Sequence, residues 1–343
     1  MSSLIGYRFL SSRTADYLVA GVPAAARLAR SHAAAMPGSP LVLVLSDSGT
    51  LAPFTRAEIA RLAPGLGIET QAVDRAIMLP GEALPDAATI VAVQAGTAPI
   101  PAQPADPETA LRAAAKAIVR NTAKPGDGII SRHCNRPLSQ AASAALLRYD
   151  WIRPGHASLL TLLSALAMLA SLLTGTQSGM VAGAVLFQIA SVVDGIDGEI
   201  ARATFRSSKA GASLDSMIDA FTNVAFLGGV GFNYWVQGQP EDAVIGVAAA
   251  AVMASGLAIL GTLAFRREGI VHFDGAKRIQ EQTGSPAARL LKDLTSRDFY
   301  CFALLVAALA GVLDIAMKVF LAAVIVWLVA IIPLMFAKVR GPE

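Results

Sequence analysis

Beyond residue 156 the chain carries apolar runs long enough to cross a lipid bilayer, and aspartates sit inside two of them. A span needs about 20 apolar residues to cover about 30 Å of hydrocarbon. Inside hydrocarbon the backbone must satisfy its own polar groups, so such runs fold as helices. Six spans are expected, over 157–175, 179–200, 211–235, 243–265, 299–315 and 318–338. The composition is 54% hydrophobic and 15% charged, apolar for a soluble protein, and the excess lies in this region while 1–150 is mixed. Basic residues flank the spans on one side: Arg132, Arg136, Arg148 and Arg153, then Arg202, Arg206 and Lys209, then a basic loop from Arg266 to Arg297, then Lys338 and Arg340. The opposite loops hold Glu241, Asp242, Asp314 and one base, Lys318. The positive-inside rule places both termini in the cytoplasm.

The stretch 191–220, SVVDGIDGEIARATFRSSKAGASLDSMIDA, holds Asp194, Asp197, Asp215 and Asp219. At 100° per residue, Asp194, Asp197, Gly198, Ala201 and Arg202 share one helical stripe, with Glu199 outside it. Asp215 and Asp219 are i,i+4 neighbours on the next helix, with Gly211 one turn earlier. Two helices that each offer two carboxylates describe a hard-cation site for Mg²⁺ or Mn²⁺, one ion or two, because bare carboxylates in a bilayer are expensive and repel one another. An ion pathway through the same aspartates, as in a membrane cation transporter, is the alternative.

Written out, the pattern is D-x2-D-G-x2-A-R-x8-G-x3-D-x3-D, and at every fixed position it resembles the signature of the CDP-alcohol phosphotransferase (CDP-alcohol phosphatidyltransferase) family. DGIDGEIAR, SSKAG, SLDSMID and the DG-x-ISR-x2-NR segment in 127–137 are similar in wording to the di-myo-inositol-phosphate phosphate synthase, or inositol-phosphate, branch. The resemblance implies an integral-membrane enzyme that moves a substituted phosphate from a CDP-alcohol to a hydroxyl acceptor and releases CMP. It implies that Asp194, Asp197 and Asp215 hold the metal and that Asp219, also near it, is the base. Gly198 and Ala201 leave room for cytidine, Arg202 contacts phosphate and Gly211 allows close helix packing. Donors would be CDP-inositol or CDP-diacylglycerol, with inositol phosphate or a related polyol or lipid as acceptor. Arg266, Arg267, Lys277 and Arg278 are candidates for gripping an acceptor phosphate. Family members are generally homodimers. Where the branch carries Arg and then Tyr/Phe-Ala-Asp after the last motif aspartate, this chain has Ala220, Phe221, Thr222 and Asn223, a difference that points to another acceptor.

Three domains are expected: 1–125 a cytoplasmic α/β domain, 126–152 an interfacial juxtamembrane helix, and 153–343 the six-helix all-α transmembrane domain. In the first, 15–35 and 55–62 read as helices, 41–45 and 89–93 as strands of a largely parallel sheet, and 110–119 as a helix after the Pro-rich linker 97–108. AGVPAAARLARSHAAA resembles a helix of sugar-nucleotide transferases, yet no Gly-rich phosphate loop opens the domain. It is expected to be a degenerate, inactive nucleotidyltransferase-like scaffold; a nucleotide-capturing module is the other reading. In 126–152, Leu138, Ala142, Leu146 and Tyr149 form an apolar stripe, with Arg136 and Arg148 available to lipid headgroups. Net charge is only +3, with no basic-aromatic stripe, so no nucleic-acid binding is expected. Cys134 and Cys301 are expected as free thiols, and no signal-peptide pattern opens the chain.

Overall fold

The computed structural model describes residues 4–70, 76–124, 126–269, 271, 273 and 296–332. They group into two compact units. The first is formed within Met1–Thr122, Ala141–Ile152 and Glu199–Arg206, the second within Ala123–Gln140, Arg153–Gly198 and Ser207–Glu343.

In the first unit, β1 (Ile5–Phe9), β4 (Leu41–Leu45), β5 (Ile68–Glu69) and β6 (Ile77–Pro80) form a parallel sheet in the order β5-β4-β1-β6. Parallel strands are buried on both faces and read as unbroken apolar runs, as LVLVL does. Helices α2 (Ala24–Ala35), α3 (Pro53–Leu62), α4 (Ala87–Gln94) and α5 (Pro107–Arg120) supply the rest of a core that includes Tyr7, Phe9, Leu28, Leu43 and Leu79. The expected strand at 89–93 is instead α4. The Asp86 carboxylate accepts from the Thr89 N–H at 2.8 Å and caps the helix, a choice that a five-residue apolar run leaves open. The strand that pairs on that side of β1 is β6, absent from the sequence reading. The helix expected over 15–35 begins only at Ala24. Before it, Ala20 (φ 47°) and Gly21 (φ 78°) turn a short hairpin of β2 (Leu18–Val19) and β3 (Val22–Pro23).

Three arginines of this unit, Arg27, Arg30 and Arg61, close on the segment 199–206. Arg27 is buried; its Nε donates to the Val19 carbonyl at 2.6 Å, and its Nη2 to the carbonyls of Ala20 at 3.0 Å and Ala203 at 2.6 Å. Arg61 donates to the carbonyls of Thr204 at 2.9 Å and Phe205 at 3.2 Å. Buried Glu58 pairs with both Arg61 and Arg206 at 2.6 Å, and Arg30 stacks over the Phe205 ring at 4.0 Å. The last carbonyls of a helix have no partner within it and carry negative dipole charge. At the end of α8 (Gln177–Ala203) Arg27 meets that need at the Ala203 carbonyl, and Arg61 holds the two carbonyls just past it.

The second unit opens with a π-helical turn at Ser131–Asn135 that leads into α6 (Arg136–Leu146), whose C-terminal part belongs to the first unit. Ser139 and Ser143 of α6 are buried, while Leu138 and, just past the helix, Tyr149 are exposed. The apolar stripe therefore faces outward, as an interfacial helix would require. Arg136 does not join it. Both arms of its fork bind Asp127, at 2.7 and 3.1 Å, and each side chain is 12% exposed, so the expected reach toward headgroups is replaced by an internal bidentate pair.

Helices α7 (Pro154–Leu172), α8, α9 (Lys209–Val236), α10 (Pro240–Glu268), α11 (Arg297–Leu309) and α12 (Leu313–Ile331) form the rest. Among the described residues, four of them, α7, α8, α10 and α12, are long and apolar enough to cross a membrane. Six spans were expected. Helix α9 is long enough at 28 residues, but Lys209, Asp215 and Asp219 lower its hydropathy. Helix α11 has 13 residues, about 20 Å at 1.5 Å per residue, short of the hydrocarbon thickness. The expected fifth span, 299–315, is broken at Gly311, whose φ of 72° ends α11 and lets α12 start two residues later. Of the expected sixth span, 333–338 lies outside the described residues. Helices α9 and α10 cross at glycines: a Cβ on Gly246 would lie 2.6 Å from the Gly231 Cα. Phe187 of α8 stacks on Phe226 of α9 with ring centroids 4.1 Å apart, and outward-facing Leu163, Val319 and Val326 suit contact with lipid.

Two predictions follow from these contacts. Arg27→Met leaves three carbonyls without their donor and should lower stability by roughly 2–4 kcal/mol, read as a lower thermal midpoint in detergent; an unchanged midpoint contradicts the capping role. At Asp127, burial pushes the carboxyl up, but the hydrogen bonds and charge of Arg136 outweigh it and hold the group below the usual range. A depressed folded-state value means that the pair's contribution is complete above the unfolded value of about 3.9 and fades as pH falls through the folded one. The midpoint gap between wild type and Asp127→Asn should be full at pH 7 and narrow below about pH 4; a constant gap would exclude the ion pair as its source.

Candidate active site

Helices α8 and α9 bring together the aspartates that the spacing singled out. The carboxyl of Asp215 is within hydrogen-bonding reach of those of Asp194 and Asp197, and the carboxyl of Asp219 is within reach of Asp194. Asp197 is buried, and its Oδ2 accepts from Ser158 Oγ of α7 at 2.7 Å, which fixes its rotamer. The i,i+3 and i,i+4 spacings thus do what helical periodicity promised.

The centre of the cluster holds a residue that the sequence reading counted only as part of a basic loop. Arg297, the first residue of α11, pairs through Nη1 with Asp194 Oδ2 at 3.1 Å and with Asp219 Oδ1. Among the described residues no three His, Cys, Asp or Glu side chains are arranged to hold a metal ion. The carboxyl groups are mutual neighbours, and a guanidinium lies between two of them.

The donor set still fits a divalent cation. Asp194 Oδ1 is buried and has no hydrogen-bond partner among the described residues. Four carboxylates around one guanidinium keep an excess of negative charge that water-poor surroundings do not screen. Carboxylate oxygens are the ligands that Mg²⁺ and Mn²⁺ select.

A second layer of polar side chains holds the start of α11. Asp298 Oδ1 accepts from Asn135 Nδ2 and from Ser191 Oγ, each at 2.8 Å, and Asn135 Oδ1 accepts from Gln188 Nε2 at 2.8 Å. Asn135 and Arg136 are the N-R of the segment that precedes the first span. Their motif was visible in the sequence, their work was not: Asn135 ties the π-helical turn to α8 and α11. Gly195, unremarked among the motif residues, is a point of close approach, since a Cβ there would lie 3.2 Å from Arg136 Nη1 and 3.3 Å from Ser139 Oγ.

The remaining expected site residues fall out differently. Gly198 is half-buried on α8, between Asp197 and Glu199. Glu199, outside the aspartate stripe, is buried within α8 and accepts from Ser143 Oγ at 2.6 Å. Ala201 is half-buried, and Arg202 turns its Nε to the Thr122 carbonyl at 2.9 Å. Gly211 is exposed in the first turn of α9, where Ser208 Oγ accepts its N–H at 3.0 Å. A Cβ there would meet only Ser208 Oγ at 3.1 Å among the described residues, so helix packing does not explain this glycine. Arg266 and Arg267 are exposed in the last turn of α10, and the structure does not bring them to the aspartates. Lys277 and Arg278 lie outside the described residues. Cys134 is half-buried, Cys301 is buried, and both are free thiols.

An apolar groove of about 750 Å³ opens along α9 and α10, lined by Ala220, Phe221, Val224, Leu257, Gly261 and Phe265 among others. Two of the positions where the sequence departs from the inositol-phosphate branch, Ala220 and Phe221, line it.

A family model described as CDP-alcohol phosphatidyltransferase matches residues 154–334. Three curated relatives carry the name bifunctional IPC transferase and DIPP synthase. The chain is 38% identical over 118 residues to that of Thermococcus kodakarensis, covering 34% of this chain and 26% of the relative. For Aquifex aeolicus the figures are 39% over 124 residues, covering 36% and 27%. For Archaeoglobus fulgidus they are 38% over 124 residues, covering 36% and 24%. The chain thus spans about a quarter of the length of the relatives it matches. Helices long and apolar enough to span a bilayer belong to an integral membrane protein, and the family match covers all six of α7 to α12. Paired aspartates on adjacent helices, the spacing that carries them and a match over more than half its residues make this chain a member of the CDP-alcohol phosphatidyltransferase family.

Proposed function

We propose that the chain transfers a substituted phosphate from a CDP-alcohol to a hydroxyl acceptor and releases CMP. The observation that carries this reading is the gathering of Asp194, Asp197, Asp215 and Asp219 from two neighbouring helices. In the reaction the acceptor oxygen forms a bond to the phosphorus that bears the alcohol group, the bond to the bridging pyrophosphate oxygen breaks, and CMP leaves with that oxygen. Asp219 takes the proton of the attacking hydroxyl. Asp194, Asp197 and Asp215, with Asp219 at the margin, would hold one or two Mg²⁺ or Mn²⁺ ions; when bound, these neutralise the diphosphate and the charge that develops as CMP departs. Ser158 holds the Asp197 carboxylate, and Gly198 and Ala201 leave space on α8 for the nucleotide.

The relatives' names favour an inositol phosphate as acceptor and a place in phospholipid or inositol-phosphodiester synthesis. Arg266, Arg267, Lys277 and Arg278 are the candidate acceptor contacts in that reading, and Arg202 the phosphate contact. A lipid substrate is the second reading, and the apolar groove along α9 and α10, whose lining includes Ala220, next in sequence to Asp219, favours it: an acyl chain could lie against Phe221 and Leu257. Six spans, cytoplasmic termini and a homodimer belong to the same proposal.

For the front domain, 1–125, the reading is an inactive nucleotidyltransferase-like scaffold. In an open parallel sheet, ligands bind where strand order reverses. Here that place lies beyond β1 and β6, and Glu82 fills it: buried, it accepts from the Leu10 N–H at 2.7 Å and from Thr14 Oγ1 at 2.8 Å. A carboxylate at that position repels a phosphate and occupies the amide that would bind one.

The test is purified protein with Mg²⁺, CDP-diacylglycerol or CDP-inositol and a panel of acceptors, read by mass spectrometry for CMP and the joined product. Wild type should release CMP, and Asp219→Asn should release it about a thousandfold more slowly with an unchanged elution profile. No CMP from either donor with Mg²⁺ or Mn²⁺ would refute the transferase reading, and normal turnover by Asp219→Asn would refute the base assignment.

A further inference from the structure

Arg297 stands where a cation is needed, yet its fit there is incomplete. Its Nη1 bridges α8 and α9 through Asp194 Oδ2, at 3.1 Å, and Asp219 Oδ1. Its Nε and Nη2, and Asp194 Oδ1, are buried with no hydrogen-bond partner among the described residues. Buried polar atoms left unpaired are costly, charged ones most of all. One guanidinium also cannot balance four carboxylates. The arrangement has the form of a counter-charge held in reserve: strong enough to keep two helices' carboxylates together, too weak to satisfy them all.

We propose that Arg297 is a resident counter-cation that holds Asp194 and Asp219 while no divalent ion is present and must leave them when one is taken up. The inference rests on the reading above that these aspartates bind the ion. A guanidinium paired with two of the ligands competes with an incoming ion, so it weakens the apparent affinity for metal. The hydrogen bonds of Asp298 to Asn135 and Ser191 anchor α11 one residue away, so the movement required is one of the Arg297 side chain.

Metal-stripped full-length protein in detergent tests this by Mn²⁺ titration, with free Mn²⁺ followed by electron paramagnetic resonance. Arg297→Gln should bind Mn²⁺ about tenfold more tightly than wild type, because a competing positive charge is gone. Asp215→Asn should bind it at least about tenfold more weakly. A merely structural role for Arg297 predicts loss of affinity in Arg297→Gln, the opposite sign. If Asp215→Asn weakens binding while Arg297→Gln leaves it unchanged or weaker, the counter-cation inference fails and the metal reading stands. If Asp215→Asn binds Mn²⁺ as wild type does, the metal reading itself fails. Should Arg297→Gln aggregate, arginine-selective dicarbonyl labelling of wild type decides: Arg297 should label several-fold faster with saturating Mn²⁺ than without it, and an equal rate overturns the inference.

Discussion

Carboxylates inside apolar helices demand a counter-charge, and everything else in the second unit is arranged around that demand. Asp194 and Asp197 on α8, and Asp215 and Asp219 on α9, approach closely enough to repel one another. In hydrocarbon such repulsion is not relieved by water. Ser158 relieves part of it by donating to Asp197, and Arg297 relieves part by bridging Asp194 and Asp219. Asp194 Oδ1 stays without a hydrogen-bond partner among the described residues.

Because the carboxylates depend on how α8 and α9 are set, the contacts that fix those helices acquire functional weight. Within the second unit, Gly231 and Gly246 let α9 and α10 touch, Phe187 and Phe226 stack, and Asn233 Nδ2 donates to the Leu172 carbonyl at 2.6 Å. The Asn135–Asp298–Ser191 bonds place the start of α11 and with it Arg297. Within the first unit, Arg27 binds the last carbonyl of α8, that of Ala203, and Arg61 binds that of Thr204 just past the helix.

What could be read in the sequence was set by periodicity and fixed spacing. The aspartates, their two helices, LVLVL as a strand and the parallel sheet follow from patterns local to one element. Helix α4 did not, because an apolar run of five residues carries no period, and the Asp86 cap decides it. The boundary at Gly311 was hidden inside a run apolar from end to end, where hydropathy is blind to a positive-φ turn. Arg297 was invisible for a different reason. It lies 78 residues from Asp219, and nothing in either helix's pattern says which arginine of a basic loop will fold back onto the carboxylates. Gly211 matched its motif position, but the packing role assigned to it does not survive its exposure.

The most direct test of the central claim is to locate the ion itself. Crystals of the protein grown with saturating Mn²⁺ and measured at the manganese absorption edge should give an anomalous peak within coordination distance of oxygens of Asp194, Asp197 and Asp215, at or beside the place where Arg297 now sits. A peak elsewhere, or none while Asp194 and Asp219 still hold Arg297, would contradict the account.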